Sequence, residues 1–334
     1  LYPLKFSWLN IGYVSSIGSL FFGMYGLGLL TFIFATFLFC WRIIKLSLFQ
    51  FLLIIGLICM FLCAYLPTLA HSKWKTMPIS LVGIQLEFPS PTILPRVLNQ
   101  ALAKHTNAQI FVLSEYTLDG PPTDTLKDWC REHQRYLVVG GKDPAGTNNY
   151  YNTAYVVGTN GDIVFQQVKC TPIQFMNDGL PATNQSVWPS PWGKIGICIC
   201  YDLSYTRVAD ELIRQGAQLL IVPTMDVEEW GRHEHELHSR VAPVRAAEYG
   251  VPIFRLASSG ISQAVTGGGQ VVAKTSVPGG GEILAAQLRL PRQGSLPLDR
   301  WLAPACTGIT VVVLGWLLFL RWREHRQKLQ VKPA

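Results

Sequence analysis

Two long stretches near the start of this chain hold no charged side chain: residues 13–40, "YVSSIGSLFFGMYGLGLLTFIFATFLFC", and residues 46–70, "LSLFQFLLIIGLICMFLCAYLPTLA". About 20 apolar residues cross a bilayer as a helix, and uninterrupted runs of this length are rare in the cores of soluble folds. A third run, "LAPACTGITVVVLGWLLFL", covers Leu302–Leu320. A secretory signal fits the first run poorly, because no basic flank precedes it and no small-residue cleavage site follows it.

The basic residues set an expected orientation. Arg42 and Lys45 lie in the short turn between the first two runs, and "RWREHRQKLQVK" after the third carries five Lys/Arg against one Glu. Both segments are expected on the cytoplasmic side, so the chain between them is expected on the outer side. The division is then a membrane region over 1–77 with spans at about 13–40 and 46–70, a catalytic domain over 78–292, and a closing segment over 293–334 with a span at about 302–320. The net charge of +7 comes largely from the turn and tail; it reports topology and anionic lipid and calls for no nucleic-acid partner. The eight cysteines show neither a disulfide framework nor a zinc spacing.

From residue 78 the pattern changes. Strand-like runs ("PISLVGIQLEF", "AQIFVLSE", "RYLVVGG") alternate with helical ones ("TILPRVLNQALAKH", "TDTLKDWCREHQ"), followed by the hairpin "YYNTAYVVGTNGDIVFQQVK" turning at Asn160-Gly161. A second half repeats the alternation: strand "GKIGICIC", helix "TRVADELIRQG", strand "AQLLIVPT", a long helix around "HSRVAPVRAAEYG", strand "VPIFRLAS" and closing hairpins. This order predicts a layered α/β fold with mixed sheets.

Three strand ends carry reactive side chains: Glu115, Lys169 and Cys200. Such ends gather at one edge of layered α/β folds, where ligands bind. There a carboxylate could take a thiol proton, an ammonium could steady a developing oxyanion, and a thiolate could attack a carbonyl. Cys198 and Cys200 would share a face if one strand ran through both. Asp202 and Leu203-Ser204 start a helix, however, so Cys200 is expected as the last strand residue before an elbow and Cys198 as a core side chain.

"GKIGICICYDLSY", "FVLSEYT" and the lysine hairpin, in that order, resemble the nitrilase, or carbon–nitrogen hydrolase, superfamily. The resemblance implies an αββα-sandwich domain flanked by transmembrane α-helices and a Glu115-Lys169-Cys200 triad. Tyr201 would add a backbone N–H to the oxyanion site and a ring to an acyl pocket, or simply pack at a helix start. The flanks "FSWLNIGY" and "GMYGLGLLTFIFATFL" and the stretch "MDVEEWGRHEHELHSRVAPVRAAEYGVPIFRLASSGIS" are similar to the bacterial apolipoprotein N-acyltransferase family. That likeness implies a multi-pass enzyme of the bacterial inner membrane with its domain on the periplasmic side. It would move an acyl chain from phospholipid, through a cysteine thioester, to the amine of a diacylglyceryl-cysteine lipoprotein, with no cofactor and no metal. That family has eight spans against three here, so upstream helices are expected to be missing. A second Glu usually follows the lysine, where this chain offers only Asn177 and Asp178, and Ser114 stands where Pro usually precedes the base. The alternative is a membrane-anchored amidase or nitrilase with water as acceptor.

Other residues invite competing readings. Lys142, in "GGKDPAG", rivals Lys169 but is expected in a solvated turn. His233, His235 and His238 are separated by two, three and five residues, which does not fit the zincin spacing; a solvated helix start or lipid-headgroup contact is expected. Trp230, with Trp188 and Trp192, could line an acyl entry, dip into a membrane interface or pack in the core.

Overall fold

A computed structural model describes residues 17–41, 50, 54–59, 78–174, 176–277, 281–291 and 293–330. The central domain contains two six-stranded mixed sheets, ordered β12-β1-β2-β3-β4-β5 and β11-β10-β9-β8-β7-β6. In the first, β1 (Pro78–Ile84), β2 (Ile110–Leu113) and β3 (Tyr136–Ala145) run parallel; β4 (Asn149–Val157), β5 (Ile163–Val168) and β12 (Ile283–Arg289) add antiparallel edges. In the second, β7 (Gly193–Ile197), β8 (Leu219–Thr224) and β9 (Ile253–Ala257) are parallel, with β6 (Val187–Ser190), β10 (Gln263–Val265) and β11 (Val271–Lys274) outside them.

The two-residue repeat of a strand sorts its side chains into layers. Ile79, Leu81, Ile110, Val112 and Val138 meet Ile195, Ile197, Leu219, Ile221 and Phe254 between the sheets. The alternate residues Val82, Ile84, Phe111, Leu113 and Val139 pack with α2 (Leu94–Lys104) and α3 (Asp124–His133). On the far side, α4 (Thr206–Arg214) and α6 (Val241–Tyr249) cover Leu220, Val222 and Ile253. The result is an αββα sandwich whose parallel strand ends lie beside one another.

The expected long helix is two: α5 (Gly231–Ser239) stops and α6 begins at Val241. Pro243 explains the break, since its ring would clash with the Ser239 carbonyl in a continuous helix but is tolerated in a first turn.

Among the described residues, two helices are long and apolar enough to cross a bilayer: α1 (Ile17–Trp41), over Ser19–Thr36, and α7 (Asp299–Gln330), over Asp299–Arg326. A third of the α1 window is buried inside the protein, so α1 leans on the domain; α7 keeps only its first turn there, with Asp299 buried and Arg300 nearly so, and projects beyond it. α7 also starts before the expected boundary and continues into the basic stretch as far as Gln330. Within 46–70, residues 50 and 54–59 are helical. The rest of that expected span, and the Arg42/Lys45 turn, lie outside the described residues.

Candidate active site

Glu115 lies in the turn after β2, and its neighbour Tyr116 adopts a left-handed φ of 55°. The turn sits so close to β3 that a Cβ on Gly140 would come within 2.6 Å of the Glu115 Cα; only glycine fits there. Lys169 follows β5, where its backbone N–H donates to the Asn152 carbonyl at 2.8 Å. Its ammonium then meets Glu115 Oε1 at 2.8 Å and Asp178 Oδ2 at 2.7 Å, with all three side chains buried. Asn152 donates to Glu115 Oε1 at 2.6 Å and to Asp178 Oδ1 at 3.0 Å. Tyr116 donates its hydroxyl to Asp178 Oδ1 at 2.6 Å, and the Met225 N–H donates to Glu115 Oε2 at 2.7 Å.

Cys200 enters the same group through the Met225 peptide, whose carbonyl accepts from its Sγ at 3.7 Å. β7 ends at Ile197, so Cys200 is not a strand residue; it heads a 3₁₀ turn, Cys200–Ser204, with φ at 50°. Because the strand stops, the two cysteines part: Cys200 faces the layer between the sheets and Cys198 the helix-covered layer. Cys198 is thus a core side chain. A left-handed φ is uncommon for any residue but glycine, and such strain collects at functional sites. Asp202 ties the turn to the lysine loop, its two oxygens accepting the Cys170 and Thr171 N–H groups at 3.0 and 2.7 Å.

Burial and then the Glu115 carboxylate push the Cys200 thiol well above its ordinary pKa, against the pull of Lys169. The thiol therefore rests protonated and must lose its proton as it attacks. Burial opposes the charge on Lys169, but the Glu115 and Asp178 carboxylates hold the ammonium above its usual value. Burial raises Asp202 to about 6 despite Lys169 and the two N–H donors.

A cavity of ≈ 410 Å³ reaches this group at Tyr116, Asp178 and Met225 and is lined further by Lys142, Tyr150 and Trp230, among others, while Glu115, Lys169 and Cys200 lie buried behind that lining. Trp230 thus borders the pocket mouth. The Tyr201 ring is buried between the sheets and meets Tyr205 edge-on at 5.1 Å. Trp188 is buried in the same core against Tyr136, with Trp192 partly buried beside them, so neither lines the cavity.

Several expectations change. The second carboxylate after the lysine is present as Asp178, which chain folding turns back onto Lys169. Lys142 lies in β3, because the turn comes only after Ala145; it pairs with Asp119 at 2.8 Å and sits over the Tyr116 and Tyr150 rings. The histidines at 235 and 238 are buried rather than solvated. His238 Nδ1 is 2.6 Å from Asp226 Oδ1, and Arg255 holds the other Asp226 oxygen at 2.6 Å. No metal-holding group of His, Cys, Asp and Glu occurs among the described residues. Sequence reasoning did not single out Asn152, Tyr116 or Asp226. For Asn152 a signal existed: an amide inside the strand-like run "YYNTAYVV" must find buried partners.

A buried thiol, carboxylate and ammonium thus gather just past strand ends of an αββα sandwich, the groups that nucleophilic catalysis by a thiol requires. The carbon–nitrogen hydrolase family matches residues 78–295, and the chain belongs to that family, within the nitrilase superfamily. It is 28% identical over 116 residues to the omega-amidase NIT2-B of Xenopus laevis, covering 32% of this chain and 42% of that protein. It is 32% identical over 114 residues to the formamidase of Bacillus cereus (strain G9842), covering 31% of this chain and 32% of that one. The chain therefore spans less than half the length of these curated relatives. Among solved structures, Saccharomyces cerevisiae Nit3 shares the fold with a TM-score of 0.54 at 22% identity, over 64% of this chain and 90% of that one. The amidase of Nesterenkonia sp. AN1, with the acetamide moiety of fluoroacetamide added covalently at its active-site cysteine, gives 0.56 at 17% identity, over 65% and 92%.

Proposed function

We propose that the chain is a membrane-anchored amidase-type hydrolase that cleaves a carboxamide through a thioester on Cys200. The observation that carries this reading is the Glu115-Lys169-Asp178 cluster, which shares the Met225 backbone with Cys200 and meets the cavity at Asp178. Glu115 takes the thiol proton as sulfur attacks the carbonyl carbon. Lys169 and the Tyr201 backbone N–H steady the oxyanion. The C–N bond breaks as Glu115 returns the proton to the departing amine, and water, activated by the same carboxylate, hydrolyses the thioester. Amide plus water thus give acid plus amine. The amidase relatives support this acceptor, and α1 and α7 supply the anchor.

One observation favours a second reading, acyl transfer from phospholipid to the amine of a lipoprotein. The cavity mouth carries exposed Phe88 and Met176 beside Trp230, a surface suited to an acyl chain. The purified protein, incubated with small carboxamides and separately with phospholipid plus a diacylglyceryl-cysteine lipopeptide, separates the two. Ammonia release with an unmodified lipopeptide is expected. Lipopeptide acylation without ammonia release favours the transferase, and neither product overturns both.

A further inference from the structure

The nucleophile turn is gripped from behind. Arg245, on α6 and almost fully buried, donates Nε to the Leu203 carbonyl at 3.1 Å and Nη2 to the Ser204 carbonyl at 2.8 Å, the last two residues of the turn that Cys200 begins. Its remaining nitrogen pairs with Glu248 Oε2. The other Glu248 oxygen leaves the catalytic domain, accepting the Met24 N–H of α1 at 3.2 Å and Arg300 Nη1 of α7 at 3.3 Å. Against burial, which pushes it up, Arg245 and Arg300 hold the Glu248 carboxyl below its usual pKa.

Both helices are shaped for this contact. α1 is broken at Gly23, where φ is 69° and ψ 174°. The break frees the N–H groups of Met24 and Tyr25, and Tyr25 donates to Asp299 Oδ2 at 3.2 Å. A Cβ at position 23 would strike the Asp299 carboxylate at 2.2 Å. Arg300, with 13% of its side chain exposed, also reaches Asp210 on α4 at 2.8 and 3.0 Å and the Tyr249 hydroxyl at 3.2 Å. Helices that served only as anchors would need no buried ions threaded into the catalytic domain, where each unpaired charge is costly.

We infer that Arg300 is a positioning residue: through Glu248 and Arg245 it makes the placement of the Cys200 turn depend on the packing of α1 and α7. The inference rests on Cys200 as nucleophile. Its contiguous hydrogen-bonded chain gives the dependence a physical path.

The test uses the full chain with Arg300→Gln and Arg300→Lys. Saturable inactivation by iodoacetamide, itself a small carboxamide, is followed by the mass of the Cys200 adduct, and hydrolysis of a soluble carboxamide by kcat and KM. Arg300→Gln is expected to lower both the maximal inactivation rate and kcat about tenfold, since small misplacements of reacting groups carry such losses. KM and the half-saturating iodoacetamide concentration stay within about twofold, and Arg300→Lys restores most of the rate. Wild-type rates in Arg300→Gln overturn the inference. Loss accompanied by new labelling of core Cys130 and Cys198 also overturns it, because it signals general loosening. If Arg300→Gln does not fold, Asp299→Asn, which weakens the carboxylate that also accepts from Arg300 Nη1, is expected to give a smaller loss of the same kind, and wild-type rates there overturn it equally. Adduct formation at Cys200 is read without turnover, so failure of the proposed hydrolysis and failure of this coupling are distinguishable.

Discussion

Two buried ionic clusters flank the end of β8, and they differ in their ratio of carboxylates to basic groups. Around Asp226, a single carboxylate meets Arg255 and His238 and is fully engaged. Around Lys169, two carboxylates, Glu115 and Asp178, share one ammonium. Arg255 and His238 hold the Asp226 carboxyl below the ordinary range despite its burial, so it has no appetite for a proton. The second cluster has one carboxylate charge more than its cation can match, next to a protonated thiol. Burial alone therefore does not make a base; an unmatched carboxylate beside a proton donor does. The Asp226 cluster acts instead as a strut, fixing β8, β9 and α5 so that the neighbouring Met225 peptide holds both Glu115 and Cys200.

If this contrast holds, substitutions should sort by cluster. The largest effect is expected from Cys200→Ala, which should cut carboxamide turnover by about 10³-fold or more and remove any covalent acyl adduct from the intact-protein mass spectrum. Glu115→Gln removes the proton acceptor and should lower kcat by about 10²- to 10⁴-fold with the protein still folded by circular dichroism. Asp226→Asn should act on stability instead, costing about 3–5 kcal/mol in denaturant unfolding by leaving Arg255 without its counter-charge. An equal loss of stability in Glu115→Gln would erase the distinction between base and strut.

The pH dependence sharpens it. Asp226 is depressed on folding, so its stabilisation is present above the unfolded carboxylate pKa and is lost as pH falls below the ordinary carboxylate range. Asp202, raised to about 6, has the opposite sign: its contribution is full below the unfolded value of about 4 and is lost as pH rises through about 6. Urea titrations between pH 3 and 7 should show the acid-side loss vanish in Asp226→Asn and the rise-side loss vanish in Asp202→Asn. The smallest effect is expected from Cys198→Ala. It should cost about 1 kcal/mol as a core truncation, measured by thermal melting, while leaving carboxamide turnover within about twofold.

The sandwich was legible because short apolar runs of strand length and helices with amphipathic spacing alternate along the chain, and the hairpin at Asn160-Gly161 fixes where Lys169 falls. The reactive residues were legible because each lies at or just past a strand end. The second carboxylate was not recognised in Asp178, since its role depends on how the loop after Lys169 folds back onto β4, beyond local pattern. The same holds for His238, whose partner is 12 residues away across a strand end. The Arg245-Glu248 pair was read only as part of a helix. Its link to Arg300 joins residues 52 apart, a contact that periodicity cannot register.

The backbone at Cys200 carries a consequence for descendants of this chain. Glycine alone relaxes in a left-handed turn, while a side chain there costs about 1–2 kcal/mol. A copy released from its chemical duty would gain stability by exchanging the whole side chain for a hydrogen. Glycine at position 200 in an otherwise well-kept homologue would therefore mark a retired enzyme.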